Sequence, residues 1–237
     1  MQLTENAVKT IGLLGGMSWE STQHYYRLIN QGVKQQLGGL HSAQIALYSV
    51  DFAPIESLQH QGNWAALADI LVDAAKKIEA AGADSLLICT NTMHKLAPQV
   101  EAAINIPLLH IADATGDAIK QMGFRKVALL GTTFTMEQPF YKQRLIEKYA
   151  LDVIVPNEQQ RALVHQVIYN ELCVGHINPK SKQQYLQIID QLVEAGTEAV
   201  ILGCTEIGLL VQQDDHAIPL LDTTAIHAAS AVNFALS

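Results

Sequence analysis

The sequence has no long hydrophobic run, although nearly half of its 237 residues are hydrophobic. No stretch reaches the roughly 18 apolar residues that a membrane span needs. The N-terminal stretch MQLTENAVKT also lacks the basic start and apolar core of a secretion signal. We therefore expect a soluble, cytoplasmic protein with a packed core and no membrane partner.

Cysteine and positive charge are also scarce. Three cysteines, an odd number spread along the chain, argue against a disulfide framework and are expected to be free thiols. The net charge is −8 and basic residues form no run, which argues against nucleic acid as a partner. His, Asp and Glu show no metal-ligand spacing, so we expect no metal site. A small anionic ligand stays compatible with this composition, because local donors can hold one.

Short, uniformly apolar runs alternate with amphipathic segments of helical length. Helices are predicted at Trp19–Val33 and Leu163–Leu172, where apolar residues recur every four positions. Strands that are apolar on both faces are typical of parallel sheets covered by helices, so the predicted fold class is α/β with mainly parallel sheets. The predicted strands are Thr10–Gly16, Gln44–Val50, Asp84–Thr90, Ile106–Ile111, Lys126–Thr132, Asp152–Pro156, Ala199–Thr205 and Ile218–Asp222.

Three segments of the first half recur in the second half. LLGGMSWESTQHYYRLI resembles LLGTTFTMEQPFYKQRLI, AGADSLLICTNTMHKL resembles AGTEAVILGCTEIGLL, and IPLLHIADAT resembles IPLLDTTAIH. The pairs keep the same order and a nearly constant offset, which indicates an internal duplication. We expect two pseudo-symmetric α/β halves that face each other across a cleft.

Four loops follow strands at the carboxyl edge, where parallel sheets bind ligands. In the aligned repeats, Thr90 takes the position of Cys204, so both are predicted to point into the cleft. A thiol at a helix start feels the positive end of the helix dipole, which can lower its pKa. Cys204 is therefore a candidate base, with a buried structural thiol as the alternative. The four loops are Gly15–Ser18, Thr90–Thr92, Gly131–Phe134 and Cys204–Glu206.

The same loops hold the candidate substrate-binding residues. Their hydroxyls, amides and helix N–H groups suit an anion, and plain helix capping is the alternative. The glycine-rich loop lacks a dinucleotide or P-loop fingerprint, so close backbone approach to a small carboxylate is the favoured interpretation of its glycines. Glu206 can orient a thiol or an ammonium group, or only cap its own helix. The candidates are Gly15, Gly16, Met17, Asn91, Thr92, Thr132, Thr133, Thr205 and Glu206.

The other reactive side chains favour structural roles. Cys89 precedes Thr90 on a strand and should face away from it into the core. Cys173, beside Leu172 on a predicted helix, favours the core, with the pocket wall as an alternative. His94 is most simply a polar or packing residue, and Lys95 either reaches an anion or faces solvent.

Three motifs together resemble those of the aspartate/glutamate racemase superfamily: Asn91–His94, Gly203–Glu206 and the opening Ile11–Ser18. The resemblance covers nearly the whole chain. It implies an isomerase, an amino-acid racemase that uses neither pyridoxal phosphate nor metal, with a small amino acid as substrate and a homodimer as the assembly. In such enzymes two thiols flank the substrate Cα; one removes its proton and the other delivers one to the opposite face.

The resemblance also implies a domain division. Each IPLL strand would join the sheet of the other half. The first domain would then comprise residues 1–106 and 219–237, and the second residues 107–218, with the active site in the cleft between them.

The sequence departs from the family pattern at the first site, which reads Thr90-Asn91-Thr92 in place of Cys-Asn-Thr. A threonine hydroxyl is a far poorer proton donor than a thiol. Cys204 matches the thiol that deprotonates the L-enantiomer. We therefore expect a racemase with Cys204 and Thr90 as its catalytic pair and with unequal rates in the two directions.

A second departure concerns the substrate side chain. Ile55 or Glu56, and Cys173, stand where aspartate racemases tend to carry an Arg and a Lys that hold the side-chain carboxylate. Strict aspartate specificity is therefore not expected: the substrates are aspartate and glutamate, a broader set of amino acids, or a different amino acid. The alternatives are a related small-acid isomerase or racemase of the superfamily and a non-catalytic small-molecule binding protein.

Overall fold

Two parallel sheets organise residues 8–237, the part of the chain that the computed structural model describes. Within this range, unit 1 contains residues 8–89, Leu96–His110 and His227–Ser237, and unit 2 contains Thr90–Lys95 and Ile111–Ile226. Residues 1–7, which open the predicted first domain and the stretch considered as a leader, lie outside the described residues.

Unit 1 is built on a three-stranded parallel sheet. Its elements are β1 (Ile11–Gly15), α1 (Trp19–Leu37), β2 (Ile45–Ser49), α2 (Phe52–His60), α3 (Trp64–Ala80), β3 (Ser85–Ile88) and α4 (Ala97–Glu101). The strand order is β2-β1-β3, and β1 is buried along its whole length. Helix α1 begins after Ser18, whose side chain accepts a hydrogen bond from the N–H of Ser21. Its predicted apolar stripe, Tyr25, Ile29 and Val33, is buried.

Unit 2 is built on a four-stranded parallel sheet in the order β5-β4-β6-β7. Its elements are α5 (Ile111–Met122), β4 (Lys126–Gly131), α6 (Thr133–Glu137), α7 (Pro139–Tyr149), β5 (Asp152–Ile154), α8 (Glu158–Asn170), α9 (Pro179–Glu194), β6 (Ala199–Gly203), α10 (Ile207–Leu210), β7 (Leu220–Asp222) and the start of α11 (Thr223–Ala235). Between residues 8 and 237 there are also three short 3₁₀ helices, at Thr92–Leu96, Leu172–Val174 and Gln213–Asp215. The predicted α/β class with parallel sheets and flanking helices is confirmed.

The two sheets have corresponding arrangements of strands. The segment after β3 lies beside that strand, because the Leu86 N–H donates to the Pro107 carbonyl and the Leu109 N–H donates to the Leu86 carbonyl, both at 2.9 Å. It occupies the place beside β3 that β7 occupies beside β6. The common order is what an internal duplication predicts.

The predicted exchange of the IPLL strands is wrong. Strand β7 pairs in parallel with β6 of its own unit, and Leu108 bridges to Leu86 of its own unit. The predicted strand Ile106–Ile111 is likewise reduced to that bridge, because the backbone turns into α5 at Ile111. The helices change unit instead: α11 starts in unit 2 and from His227 onward belongs to unit 1. The chain therefore passes between units somewhat later than the predicted positions 106 and 218.

Candidate active site

Polar residues follow three neighbouring strands at the carboxyl edge of the unit 2 sheet. Thr132 comes after β4, Cys204 after β6 and Thr223 after β7. The carboxyl ends of parallel strands meet at one edge of a sheet, where ligands of α/β proteins bind. The segment Thr90–Lys95 belongs to the same unit. Unit 2 thus contains both repeated site segments, those of Thr90 and Cys204.

Asn91 is tied to this edge through Thr223. The Asn91 Nδ2 donates to Thr223 Oγ1 at 3.1 Å, and Thr223 Oγ1 donates to the Leu202 carbonyl of β6 at 2.8 Å. A hydroxyl has one proton, so Thr223 must accept from Asn91, which fixes the amide nitrogen toward it. The Asn91 Oδ1 is left buried without a partner within residues 8–237. Such an acceptor costs about 1–3 kcal/mol unless a donor fills the place, so it indicates a ligand donor.

Thr92 and Thr132 join the loops that follow β3 and β4. Their hydroxyls lie 3.0 Å apart, and both side chains are buried. Thr132 also caps α6, since its Oγ1 accepts from the Thr135 N–H at 3.3 Å. The capping role left open by the sequence therefore holds for Thr132. The Thr133 N–H is taken by Nδ1 of His165, 3.2 Å away, a residue that no motif had singled out.

Cys204 is held by Glu206. The Cys204 Sγ–H donates to Glu206 Oε2 at 3.0 Å, and the Thr205 hydroxyl donates to the same oxygen at 2.6 Å. All three side chains are buried. Glu206 immediately precedes α10, yet among the described residues its carboxylate receives no bond from that helix's N–H groups. Of the roles that the sequence left open, orienting the thiol is the one that the structure shows.

The ionisation of Cys204 differs from the expectation. Burial raises the pKa of this thiol well above its usual range, and the negative charge of Glu206 and the neighbouring Cys173 raise it further. The lowering suggested by a helix start is wrong, because α10 has only four residues and a carboxylate stands beside the sulfur. The resting thiol is therefore protonated, and Glu206 is the group placed to accept its proton.

In the glycine-rich loop of unit 1, the conformation is fixed by contacts with neighbouring residues of the chain. The Gly16 N–H donates to Thr22 Oγ1 at 2.8 Å, and its φ is +95°. A Cβ on Gly15 would overlap the Thr22 side chain, and one on Gly16 would overlap the backbone of Val50. These contacts, rather than a ligand's approach, explain why both positions need glycine. The roles of Gly15, Gly16 and the buried Met17 in substrate binding stay predictions.

The other cysteines lie largely where the sequence placed them. Cys89 is buried in the apolar core of unit 1, as predicted, and burial raises the pKa of its thiol. Cys173 is partly buried against the unit 2 core. It lies on the 3₁₀ helix after α8 rather than on the predicted helix. At the positions considered for the substrate side chain, Ile55 is buried and Glu56 pairs with His60 at 2.9 Å.

Sequence reasoning missed Thr223, as it missed His165. A signal for Thr223 existed, because it directly follows the second IPLL strand of the third repeat pair.

Residues 8–237 group no three His, Cys, Asp or Glu side chains in a way that suits a metal ion. Over the same range, no helix combines the length and hydropathy needed to cross a bilayer.

Comparison with known proteins identifies the family. Residues 14–231 match the family described as Asp/Glu/Hydantoin racemase. The match spans most of the chain and includes every loop described above. The protein therefore belongs to the Asp/Glu/hydantoin racemase family.

Individual relatives agree with this assignment. The crystal structure of a "putative Asp/Glu Racemase from Yersinia pestis" is 54% identical, covers 97% of this chain and 100% of its own, and superposes with a TM-score of 0.90. An aspartate racemase homologue from Pyrococcus horikoshii OT3 is 34% identical over 97% and 100% of the two chains, with a TM-score of 0.84. The broad specificity amino-acid racemase RacX of Bacillus subtilis (strain 168) is 24% identical over 228 residues, 94% of this chain and 96% of RacX.

Proposed function

We propose that the protein is a cofactor-independent amino-acid racemase that transfers protons at Cα by thiol chemistry, with a specificity that extends beyond aspartate and glutamate. Membership of a racemase family and similarity to RacX support this class of reaction. The site arrangement of Asn91, Cys204 and Glu206 supports the mechanism. Neither pyridoxal phosphate nor a metal takes part in the scheme.

The observation that carries the proposal is the buried, unpartnered Oδ1 of Asn91. An α-ammonium group is a donor of the kind that this acceptor needs. In the hydrogen-bonded pair of Thr92 and Thr132, the hydroxyl that accepts keeps its own proton, which it can donate to the α-carboxylate. An amino acid held in this way would present its Cα to the reacting side chains.

Deprotonation would begin at Cys204. Glu206 accepts the thiol proton along the existing 3.0 Å hydrogen bond, which leaves a thiolate. The thiolate then removes the Cα proton of an L-amino acid as a general base. Hydroxyl and N–H donors around the carboxylate stabilise the negative charge that builds up on it.

The proton returns from the Thr90 side. The Thr90 hydroxyl would donate a proton to the opposite face of Cα and recover one from water. Glu206 would release to water the proton that it took from Cys204, so that both side chains of the pair return to their resting state. Because the Thr90 hydroxyl is a poor acid and a poor base, the reaction starting from D-amino acids is expected to be the slow direction.

The test is hydrogen exchange in D₂O, followed by the loss of the Cα proton signal in NMR spectra of L- and D-amino acids. L-Amino acids should exchange faster than D-amino acids. Cys204→Ser should abolish exchange, because its hydroxyl cannot serve as the base, and Thr90→Cys should speed exchange of the D-enantiomers.

Three outcomes separate the hypotheses. Equal exchange from both enantiomers would contradict the one-thiol mechanism. Exchange that survives in Cys204→Ser would remove Cys204 from the chemistry. Tight amino-acid binding without exchange of any enantiomer would favour a binding protein over an enzyme.

A further inference from the structure

His94 connects the first site loop to a helix. Its side chain is 1% exposed. Its Nδ1 lies 2.8 Å from the carbonyl oxygen of Thr90, and its Nε2 lies 3.2 Å from the backbone nitrogen of Ile111, the first residue of α5. One imidazole thus links the backbone of Thr90 to the start of a twelve-residue helix.

The two partners determine the tautomer of His94. A carbonyl oxygen only accepts, so Nδ1 carries a proton and donates it to Thr90. A backbone N–H only donates, so Nε2 carries none and accepts from Ile111. The neutral ring satisfies both bonds at once, and His94 accepts from the first of the N–H groups that the start of α5 leaves without an intrahelical partner.

In the second half of the duplication, no histidine among residues 8–237 links the corresponding loop to the helix that follows. Gly208 stands in the repeat position of His94, and a Cβ there would lie 3.0 Å from Asp222 Oδ2. Asp222 caps α11 by accepting from the N–H groups of Thr224 and Ala225 at 2.8 and 3.2 Å. The carbonyl of Cys204 accepts from the Ile207 N–H at 3.1 Å. The side-chain link is therefore a feature of the Thr90 side.

We propose that His94 is a positioning residue that holds Thr90 for proton transfer on its face of the substrate. The inference rests on the racemase function proposed above and assigns His94 to one direction of it. Thr90 is the weaker proton carrier of the pair, so that half-reaction depends most on accurate placement; misplacement by about 1 Å can cost up to about 100-fold in rate.

Two substitutions separate the two bonds of His94. Asn places its amide N–H where histidine has Nδ1, so His94→Asn keeps a donor for the Thr90 carbonyl and loses the cap on Ile111. Gln places its oxygen where histidine has Nε2, so His94→Gln keeps the cap and loses the donor. The matched control is Asn157→Ala, which removes the cap of α8, where the Asn157 side chain accepts from the Gln160 N–H at 3.0 Å.

The measurement is Cα exchange in D₂O from the L- and D-enantiomers of one amino acid, together with the temperature midpoint of unfolding. His94→Gln should slow D-exchange by about tenfold or more relative to L-exchange while keeping most of the midpoint. His94→Asn should lower the midpoint but keep the wild-type ratio of D- to L-exchange. Asn157→Ala should lower the midpoint and leave the ratio unchanged.

Specific results would overturn the inference. If the ratio of D- to L-exchange in His94→Gln equals the wild-type ratio, whether or not both rates fall, His94 is a structural residue only. A changed ratio in His94→Asn with none in His94→Gln would also contradict the role given to the Thr90 bond. If the wild-type protein exchanges no amino acid at all, the proposed function fails, and the role of His94 fails with it.

Discussion

At the scale of single residues, Cys204 differs from the other buried thiol, Cys89, in its partner. Burial alone raises the pKa of Cys89, whereas Cys204 also donates a hydrogen bond to the carboxylate of Glu206. A carboxylate has two opposite effects on such a thiol. Its negative charge disfavours the thiolate, yet the carboxylate can accept the proton of the thiol. The second effect is what a general base needs from its neighbour.

Replacing Glu206 separates these effects. Glu206→Gln removes the negative charge, so the pKa of the Cys204 thiol should fall, and the thiol should be alkylated at lower pH in peptide-resolved mass spectrometry. Cα exchange should nevertheless drop by about 100-fold, because the proton acceptor is lost. An increase in exchange would show that Glu206 only suppresses the thiolate.

At the scale of elements, α11 is fixed to unit 1 by a buried histidine. The Tyr25 hydroxyl donates to Nδ1 of His227 at 2.9 Å, and Nε2–H donates to the Leu109 carbonyl at 2.6 Å. In unit 2 the repeat places Thr115 at this position, and its hydroxyl lies 3.2 Å from that of Tyr141. The two halves therefore have tyrosines at equivalent repeat positions, Tyr25 and Tyr141, which bond to different partners.

His227 predicts how stability depends on pH. Burial lowers the pKa of this imidazole to about 4, below the ordinary value of about 6.5. The unfolded chain therefore binds the proton more readily, and the contribution to stability is complete above about pH 6.5 and decreases as the pH falls toward 4. The full change is about 3 kcal/mol for this one group.

Urea unfolding at pH 7 and at pH 5 measures this contribution. His227→Gln has no titrating group at the position, so it should lose less stability between the two pH values than the wild-type protein does. Carboxylates that titrate in the same range act on both proteins and cancel in the difference. An identical loss in both would show that His227 does not titrate in this range.

At the scale of the whole molecule, exposed aromatic side chains on α1 favour a homodimer, the assembly implied by the family resemblance. Trp19 is 63% exposed and Tyr26 is 53% exposed, and their spacing of two helical turns places them on one face. Large aromatic residues are enriched at interfaces between proteins.

We expect light scattering to give the mass of a dimer. The double substitution Trp19→Ala with Tyr26→Ala should shift the protein toward the monomer. Val174→Ala, which removes an exposed apolar side chain of unit 2, should leave the mass unchanged. A wild-type protein that is monomeric at every concentration tested would contradict this assembly.

Much of the architecture follows from local patterns in the sequence. Uniform apolar runs predict β1 and β6 as parallel strands, because both faces of such strands must be covered. The repeats place Thr90 and Cys204 in equivalent loops without any coordinates. The duplication also predicts corresponding strand orders, and β2-β1-β3 of the first sheet corresponds to β5-β4-β6 of the second.

Only the tertiary structure decided which partner each group meets. The sequence left the role of Glu206 open between orienting a thiol, orienting an ammonium group and capping its helix. It did not reveal that His94 links Thr90 to Ile111 or that each IPLL segment stays in its own sheet. Burial depends on packing between residues distant in the chain. Hydrogen bonds even between near neighbours, such as Cys204 and Glu206, depend on the side-chain orientations that this packing selects. The same reason reversed the expected pKa shift of Cys204, because burial outweighs a short helix. Residue types at strand ends thus determined the kind of chemistry, and packing determined its proton acceptor.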